Sequence, residues 1–242
     1  MKLADARIEV TITPGQSLIM DRLRGGLVAS CQPVDDGPMD RPEIVAAMAQ
    51  AAVAGGAVGL RIEGVENLVA VRSLVDVPII GIVKTDCDNT PVRITITTDD
   101  VAELIKSGAD IVAYDATDRP RKHARDDVLK SILAGGALAM ADCSTFEDAR
   151  EAFIGGASIL GTTLSGYTAA TDTLDEGPDL KLIGDIITFG AFVMAEGRYV
   201  SPELAAHAIR AGADSVTVGS ALTRIELITR GFVDAVSGDA NA

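Results

Sequence analysis

The sequence predicts a (β/α)8 barrel, and three observations support this fold class. Short apolar runs rich in β-branched residues recur along the 242-residue chain, and helical patterns lie between them. A Gly-Ala phrase precedes several of the runs, for example at residues 155–157 and 211–213. The runs are almost continuously apolar, which is typical of parallel strands that helices cover on both faces.

Eight runs of this kind are candidate strands. A glycine just before a run suits the end of a helix, because it readily adopts the left-handed conformation that follows a helix C-terminus. Eight strands alternating with helices in 242 residues match the size of a closed barrel. The predicted strands are residues 26–32, 58–64, 78–84, 111–117, 137–144, 158–166, 192–198 and 215–220.

Helix starts can be recognised between the strands. Residues 42–54 begin with proline and continue as a mostly apolar helical pattern. Ser201 followed by Pro202 is typical of a capping serine with a proline at the first helical position. Ser144 and Glu147 have the spacing of a capping box, which predicts that Ser144 caps the helix after the fifth strand.

The chain is predicted to form a single domain over residues 1–242. Within it, residues 1–22 are expected to be a leading segment or helix that closes the bottom of the barrel. A doubly wound open sheet is the alternative fold. That fold commonly carries a phosphate-binding loop after its first strand, but neither GxGxxG nor GxxxxGK[ST] follows residues 26–32.

The composition limits the classes of partner. The formal net charge is -14, so neither nucleic acid nor an anionic membrane is expected as a partner. The first ten residues contain acids where a signal peptide has an apolar run, and no stretch reads as a membrane span. The three cysteines form no CxxC motif, which predicts a reduced, cytoplasmic protein.

Polar residues stand at the ends of all eight predicted strands. In a (β/α)8 barrel the active site lies at the C-terminal ends of the strands, so these side chains are expected to converge on one mouth. In chain order they are Gln32, Arg61, Glu63, Lys84, Asp115, Asp142, Thr162, Thr163, Glu196, Arg198 and Ser220.

The seventh and eighth strand ends predict a phosphate site. Gly197 and Gly219 would let the backbone approach an anion closely, and Ser220 opens a short helical stretch whose N-terminus favours negative charge. Arg198 and Arg224 add positive charge in the same loops. The alternative is that both glycines only form turns. Two glycine loops together with two arginines favour phosphate.

Lys84 and Glu196 are the predicted acid/base pair. A lysine that loses solvation in a pocket becomes able to exchange protons near neutral pH. The alternative for Lys84 is a buried ion pair with Asp115 or Asp142.

Two further ambiguities concern charged neighbours. Asp115 precedes residues 117–121, whose arginines are able to hold it in a structural salt bridge. Arg61 and Glu63 alternate onto the same face of their strand, so pairing with each other is an alternative to a role in the site.

Metal chemistry is not predicted. The two histidines, His123 and His207, lie in loop or helical patterns away from the strand ends, where surface positions are expected. Cys143 follows Asp142 directly and is expected to point the opposite way, into the packed layer, rather than to act as a nucleophile.

These residues occur in blocks that resemble one family, the N-acetylmannosamine-6-phosphate 2-epimerases, also called N-acylglucosamine-6-phosphate 2-epimerases. The blocks keep the family's order and spacing from about Gly25 to Arg224. They are GLVASCQP (26–33), RIEG (61–64), VPIIGIVK (77–84), DATDRPR (115–121), ADCST (141–145), GTTLSGYT (161–168), AEGRY (195–199) and TVGSALTR (217–224).

The resemblance implies a TIM-barrel isomerase that acts on a phosphorylated N-acyl amino sugar. It implies proton exchange at C2 without a cofactor, in sialic-acid and amino-sugar catabolism, and it suggests a homodimer. Lys84 matches the family's acid/base at C2, and Glu196 matches a carboxylate for ring opening or proton transfer. By the same resemblance Gln32, Arg61 and Asp142 hold the sugar. A further hypothesis is that Asp142 orients one of the two acid/base groups. The matched phosphate-binding residues are Gly197, Arg198, Gly219, Ser220 and Arg224.

Two other functions remain alternatives on the sequence. Lys84 has the position of a Schiff-base lysine, so an aldolase of a phosphorylated sugar is one of them. A non-catalytic barrel that binds a sugar phosphate is the other, because a fold does not determine a function.

Overall fold

Eight parallel strands close into a barrel in the computed structural model of the chain, which describes residues 9–172 and 177–238. Each strand pairs with the next one along the chain, and the eighth pairs back with the first. The (β/α)8 fold class is therefore confirmed. The strands are β1 (Leu27–Cys31), β2 (Gly59–Glu63), β3 (Ile79–Ile82), β4 (Ile111–Asp115), β5 (Leu138–Asp142), β6 (Ile159–Gly161), β7 (Phe192–Glu196) and β8 (Ser215–Val218).

Helices lie between the strands along most of the chain. A 3-10 turn, Ile187–Phe189, extends the helix before β7. The helices are α1 (Pro14–Leu23), α2 (Pro42–Ala54), α3 (Val65–Arg72), α4 (Thr98–Lys106), α5 (Arg125–Ala134), α6 (Phe146–Ile154), α7 (Leu180–Ile186), α8 (Pro202–Arg210), α9 (Ser220–Thr223) and α10 (Ile225–Ser237).

The start of α6 differs from the prediction by one residue. Thr145, not Ser144, is the N-cap, and its capping-box partner is Asp148 rather than Glu147. The Ser144 hydroxyl instead lies 2.6 Å from the Thr168 hydroxyl, in the loop that follows β6. The predicted capping box at Ser144 is wrong because a contact distant in sequence uses that side chain. The predicted cap of α8 by Ser201 is confirmed.

Several strands end earlier than predicted. β6 stops at Gly161, and the chain then turns, with the Ser165 amide donating to the Thr162 carbonyl. β3 stops at Ile82, so Lys84 lies beyond it and forms a single antiparallel bridge with Ile94. Residues 83–84 and 162–166 of the predicted strands therefore lie in loops, because the ladder ends where the chain leaves the barrel.

Alternation along the strands divides the core into two clusters. Side chains that point into the barrel form the smaller cluster, which includes Val28, Ile80 and Met194. Side chains that point outward pack under the helices in the larger cluster. Cys143 belongs to the outer cluster and is fully buried, as predicted from its place after Asp142.

α1 contacts the N-terminal end of the barrel. Leu23 is fully buried and belongs to the inner cluster, and its Cδ2 atom lies close to Gly59, the first residue of β2. Residues 1–8, the first part of the predicted leading segment, lie outside the described residues. Over the part of the chain that is described, no helix is both long and apolar enough to cross a membrane.

Candidate active site

A cavity of about 640 Å³ opens at the C-terminal ends of the strands. Residues from the strand ends and the following loops line it. Nine of the ten predicted site residues line this cavity, namely Gln32, Arg61, Lys84, Glu196, Gly197, Arg198, Gly219, Ser220 and Arg224. The tenth, Asp142, is fully buried and contacts Arg61.

Arg61 joins two acids from opposite parts of the barrel. Its Nη2 atom lies 2.6 Å from Asp142 Oδ2, and its Nη1 atom lies 2.9 Å from Glu196 Oε2. The Arg61 side chain is only 1% exposed, and Asp142 is not exposed at all. Buried charges need partners and good hydrogen bonds to offset lost hydration, which the two carboxylates provide here. Arg61 therefore does not pair with Glu63, and that alternative is wrong.

Glu196 has a proton affinity suited to chemistry near neutral pH. Burial raises the pKa of its carboxyl from 4.5 to about 7, and the charge of Asp142 acts in the same direction. The positive charge of the Arg61 guanidinium favours the ionised carboxylate and therefore opposes this increase in pKa. A carboxyl that titrates near pH 7 is able to give and to accept a proton.

Two threonines after β6 hold Glu196 in place. The Thr162 hydroxyl donates to the Glu196 carbonyl at 2.8 Å and accepts from the Glu196 amide at 3.0 Å. The Thr163 hydroxyl lies 2.7 Å from Asp142 Oδ1 and 3.2 Å from Glu196 Oε2. The strand-end pattern identifies both threonines as polar residues of the mouth but predicts no role for them. Alternation from Gly161 would have placed Thr163 facing inward.

Lys84 projects from the segment after β3 on another side of the cavity. Its backbone amide donates to Glu63 Oε1 at 3.3 Å, which ties the end of β3 to β2. Burial lowers the pKa of the Lys84 amine, and the charges of Arg224 and Arg61 lower it further. Among the residues described, the amine has no ion-pair partner: Asp142 pairs with Arg61, and Asp115 pairs with two arginines of its own loop. The predicted alternative of a buried ion pair for Lys84 is therefore wrong.

Asp115 is held by the loop that follows it. Arg119 Nη2 lies 2.5 Å from Asp115 Oδ2, and Arg121 Nη2 lies 2.9 Å from Asp115 Oδ1. The Thr117 hydroxyl donates to the same carboxylate at 2.6 Å. The structural salt bridge considered from the sequence is confirmed. Asp115 and Arg119 nevertheless line the cavity, so this network forms one of its walls.

The loops after β7, β8 and β1 meet at one side of the cavity. Gly197 adopts a φ of +107°, which a side chain would strain. The Arg224 Nε atom donates to the Gln32 backbone carbonyl at 3.1 Å, and the Gln32 side-chain Nε2 donates to the Ser30 hydroxyl at 2.6 Å. These bonds hold Arg224 and Gln32 beside the N-terminus of α9.

Neither histidine lines the cavity. His207 is exposed on α8, and His123 is partly exposed before α5, which agrees with the predicted surface positions. Within residues 9–172 and 177–238, no group of three or more His, Cys, Asp or Glu side chains is arranged to hold a metal ion.

Comparison with known proteins identifies close relatives. A family model described as "Putative N-acetylmannosamine-6-phosphate epimerase" matches residues 45–238. A Pasteurella multocida protein described as "Putative N-acetylmannosamine-6-phosphate 2-epimerase" is 56% identical over 218 residues, which cover 90% of this chain and 95% of that protein. An Aliivibrio fischeri protein with the same description is 56% identical over 213 residues, covering 88% and 90% of the two chains.

A solved structure shares both fold and sequence with this chain. The N-acetylmannosamine-6-phosphate 2-epimerase from Clostridium perfringens superimposes with a TM-score of 0.86 and is 37% identical. The match covers 90% of this chain and 96% of that one.

Proposed function

The chain belongs to the N-acetylmannosamine-6-phosphate epimerase family, and on that premise we propose that it interconverts N-acetylmannosamine 6-phosphate and N-acetylglucosamine 6-phosphate. The two sugars differ only in configuration at C2. The reaction is an isomerisation and belongs to amino-sugar breakdown, in particular sialic-acid catabolism.

One observation carries the proposal. Lys84 and Glu196 line the same cavity, and the pKa of each is shifted toward neutrality by burial. Lys84 stands without a carboxylate partner among the described residues, whereas Glu196 is fixed by Arg61 and Thr163. An amine and a carboxyl that both titrate closer to pH 7 are suited to removing and returning a proton.

The chemistry follows from the acidity of C2 in the open-chain sugar. C2 is next to the C1 aldehyde, so removal of its proton by neutral Lys84 forms a C1–C2 double bond and a negative charge on O1. Return of a proton to the opposite face of C2 restores the aldehyde with inverted configuration. Glu196 assists ring opening and proton transfer, and Asp142, through Arg61, keeps Glu196 oriented.

The phosphate is assigned to the loops after β7 and β8. Gly197 and Gly219 allow close backbone approach, and the N-terminus of α9 at Ser220 points positive partial charge to this side. Arg198 and Arg224 line the same region. Gln32 and Arg61 are assigned to the sugar. Phosphate binding then supplies affinity remote from the reacting carbon.

Solvent exchange tests the proposal directly. Incubation with N-acetylmannosamine 6-phosphate in D2O should give N-acetylglucosamine 6-phosphate with deuterium at C2, read by NMR. Lys84→Ala should slow exchange by about 10² to 10⁴, the range typical of a lost general acid or base. Lys181→Ala, at an exposed surface lysine, is the matched control. Binding without deuterium incorporation in the wild-type protein would overturn the epimerase assignment.

We also propose that the protein is a cytoplasmic homodimer. Cys31, Cys87 and Cys143 are free thiols, which suits a reducing compartment. α10 contains no buried residue, and its Phe232 and Val236 side chains are 71% and 88% exposed. Apolar surface of this kind is usually covered by a partner. Sedimentation should show two chains for the wild type and one for Phe232→Glu; a monomeric wild type would contradict the dimer.

A further inference from the structure

Arg198 has an unusual backbone conformation for its residue type. Its φ angle is +61°, a region that residues with a side chain rarely adopt and that is typically kept only where the surroundings require it. The residue is half-buried and lines the cavity directly after Gly197. The Arg198 side chain lies over the loop after β6.

Gly166 and Tyr167 of that loop contact the Arg198 guanidinium. A Cβ atom at Gly166 would overlap it, since the ideal Cβ position lies 2.5 Å from Arg198 Cζ. Gly166 also has a φ of +80°, which favours glycine for a second reason. The Tyr167 ring centroid lies 5.7 Å from Arg198 Cζ, within the range of a cation–π interaction.

The loop itself is anchored by its own hydrogen bonds. The Gly166 amide donates to the Thr171 hydroxyl at 2.9 Å, and the Tyr167 amide donates to the Leu164 carbonyl at 3.0 Å. The Thr171 hydroxyl in turn lies 2.8 Å from the Ser144 hydroxyl at the start of α6. The surface that contacts Arg198 is therefore built on the body of the barrel.

Arg198 is left available for a ligand. Within residues 9–172 and 177–238 its guanidinium stacks on Tyr167 and no carboxylate pairs with it, and its buried Nε atom has no hydrogen-bond partner there. In a protein with a net charge of -14, an arginine beside a cavity that none of the described carboxylates neutralises is suited to an anion that arrives from outside.

We propose that Gly166 and Tyr167 are positioning residues that hold the Arg198 guanidinium toward the phosphate group of the substrate. This inference rests on the proposed function, because it names the group that Arg198 meets. Gly166 acts by leaving room for the guanidinium, and Tyr167 acts by supporting it with the face of its ring.

Binding and turnover should be measured on separate probes. Calorimetry with inorganic phosphate reports binding without turnover, whereas calorimetry with N-acetylglucosamine 6-phosphate, itself a reactant, reports binding of the interconverting pair of sugar phosphates. Gly166→Ala should weaken binding of both probes by about tenfold and raise KM by a similar factor, with kcat little changed. Gly136→Ala is the matched control, because Gly136 has the same φ of +80° and nothing within 4 Å of its ideal Cβ position.

A double-mutant cycle separates positioning from direct contact by Tyr167. Tyr167→Leu should weaken phosphate binding several-fold in the wild-type background, and Tyr167→Phe should retain it. In an Arg198→Met background, Tyr167→Leu should have no further effect, because it acts through the missing guanidinium. Equal effects in both backgrounds, or normal phosphate binding by Gly166→Ala, would overturn the inference.

Loss of the positioning role is distinguishable from loss of the proposed epimerase activity. A wild-type protein that epimerises the sugar phosphate while Gly166→Ala keeps its affinity would contradict the positioning role alone. Phosphate binding that depends on Gly166 and Tyr167, without deuterium exchange at C2, would contradict the proposed function and leave the positioning role intact.

Discussion

Arg61 Nη1 lies 2.9 Å from Glu196 Oε2, so an arginine on β2 bonds a carboxylate on β7 across the barrel. The same guanidinium holds Asp142 on β5. Arg61 thereby links three strands beneath the cavity and determines where the Glu196 carboxyl stands relative to a bound substrate.

Removing Arg61 should cost stability as well as activity. Arg61→Met leaves Asp142 buried without a cation, and breaking a buried ion pair on one side costs about 3–5 kcal/mol of unfolding free energy. Urea unfolding measures this loss. Arg150→Met, which breaks a surface pair with Glu147, is the control and should lose far less. Similar losses for the two variants would contradict the structural role of Arg61.

The pKa of Glu196 predicts a specific pH dependence of stability. Its folded pKa of about 7 lies above the ordinary value of 4.5, so the folded state binds this proton more tightly than the unfolded state. The stabilisation is complete below pH 4.5 and is lost as the pH rises through about 7. Glu196→Gln should therefore flatten the decline of unfolding free energy between these values. An unchanged slope in Glu196→Gln would show that other groups cause the decline.

Loss of the Thr163 hydroxyl should shift the pH profile of kcat. Its hydrogen bond to Glu196 favours the ionised carboxylate and lowers the Glu196 pKa. Thr163→Val removes this bond while keeping the shape of the side chain, so the limb of the kcat profile that reports Glu196 should move to higher pH. Thr229→Val, at an exposed position on α10, is the control. A shift to lower pH would contradict the assignment.

Lys84 should act without forming an imine with the substrate. If it exchanges protons, borohydride added during turnover leaves the mass of the protein unchanged, because no imine is present to reduce. The Schiff-base aldolase considered from the sequence predicts an adduct on Lys84 instead. Mass spectrometry of the peptide containing Lys84 distinguishes the two, and an adduct that requires substrate would favour the aldolase chemistry.

Much of the site was predictable because a parallel barrel obeys a simple rule. Residues at the ends of its strands meet at one mouth, so positions such as Lys84 and Glu196, far apart in sequence, could be assigned to one cavity. Alternation also predicted which side chains face inward, as with Asp142, and which face the helices, as with Cys143. The cap of α6 was misassigned because a hydroxyl contact with Thr168 competed with the local pattern.

The sequence by itself determined the barrel and the set of residues at its mouth, since both follow from local periodicity and strand order. Only the tertiary structure decided which charges pair. Arg61 does not pair with Glu63, two residues away in sequence. It bonds Asp142 and Glu196, which are 81 and 135 residues away. The reason is geometric: ion pairs depend on which strands face each other across the barrel, and within residues 9–172 and 177–238 this geometry leaves the Lys84 amine without an ion-pair partner.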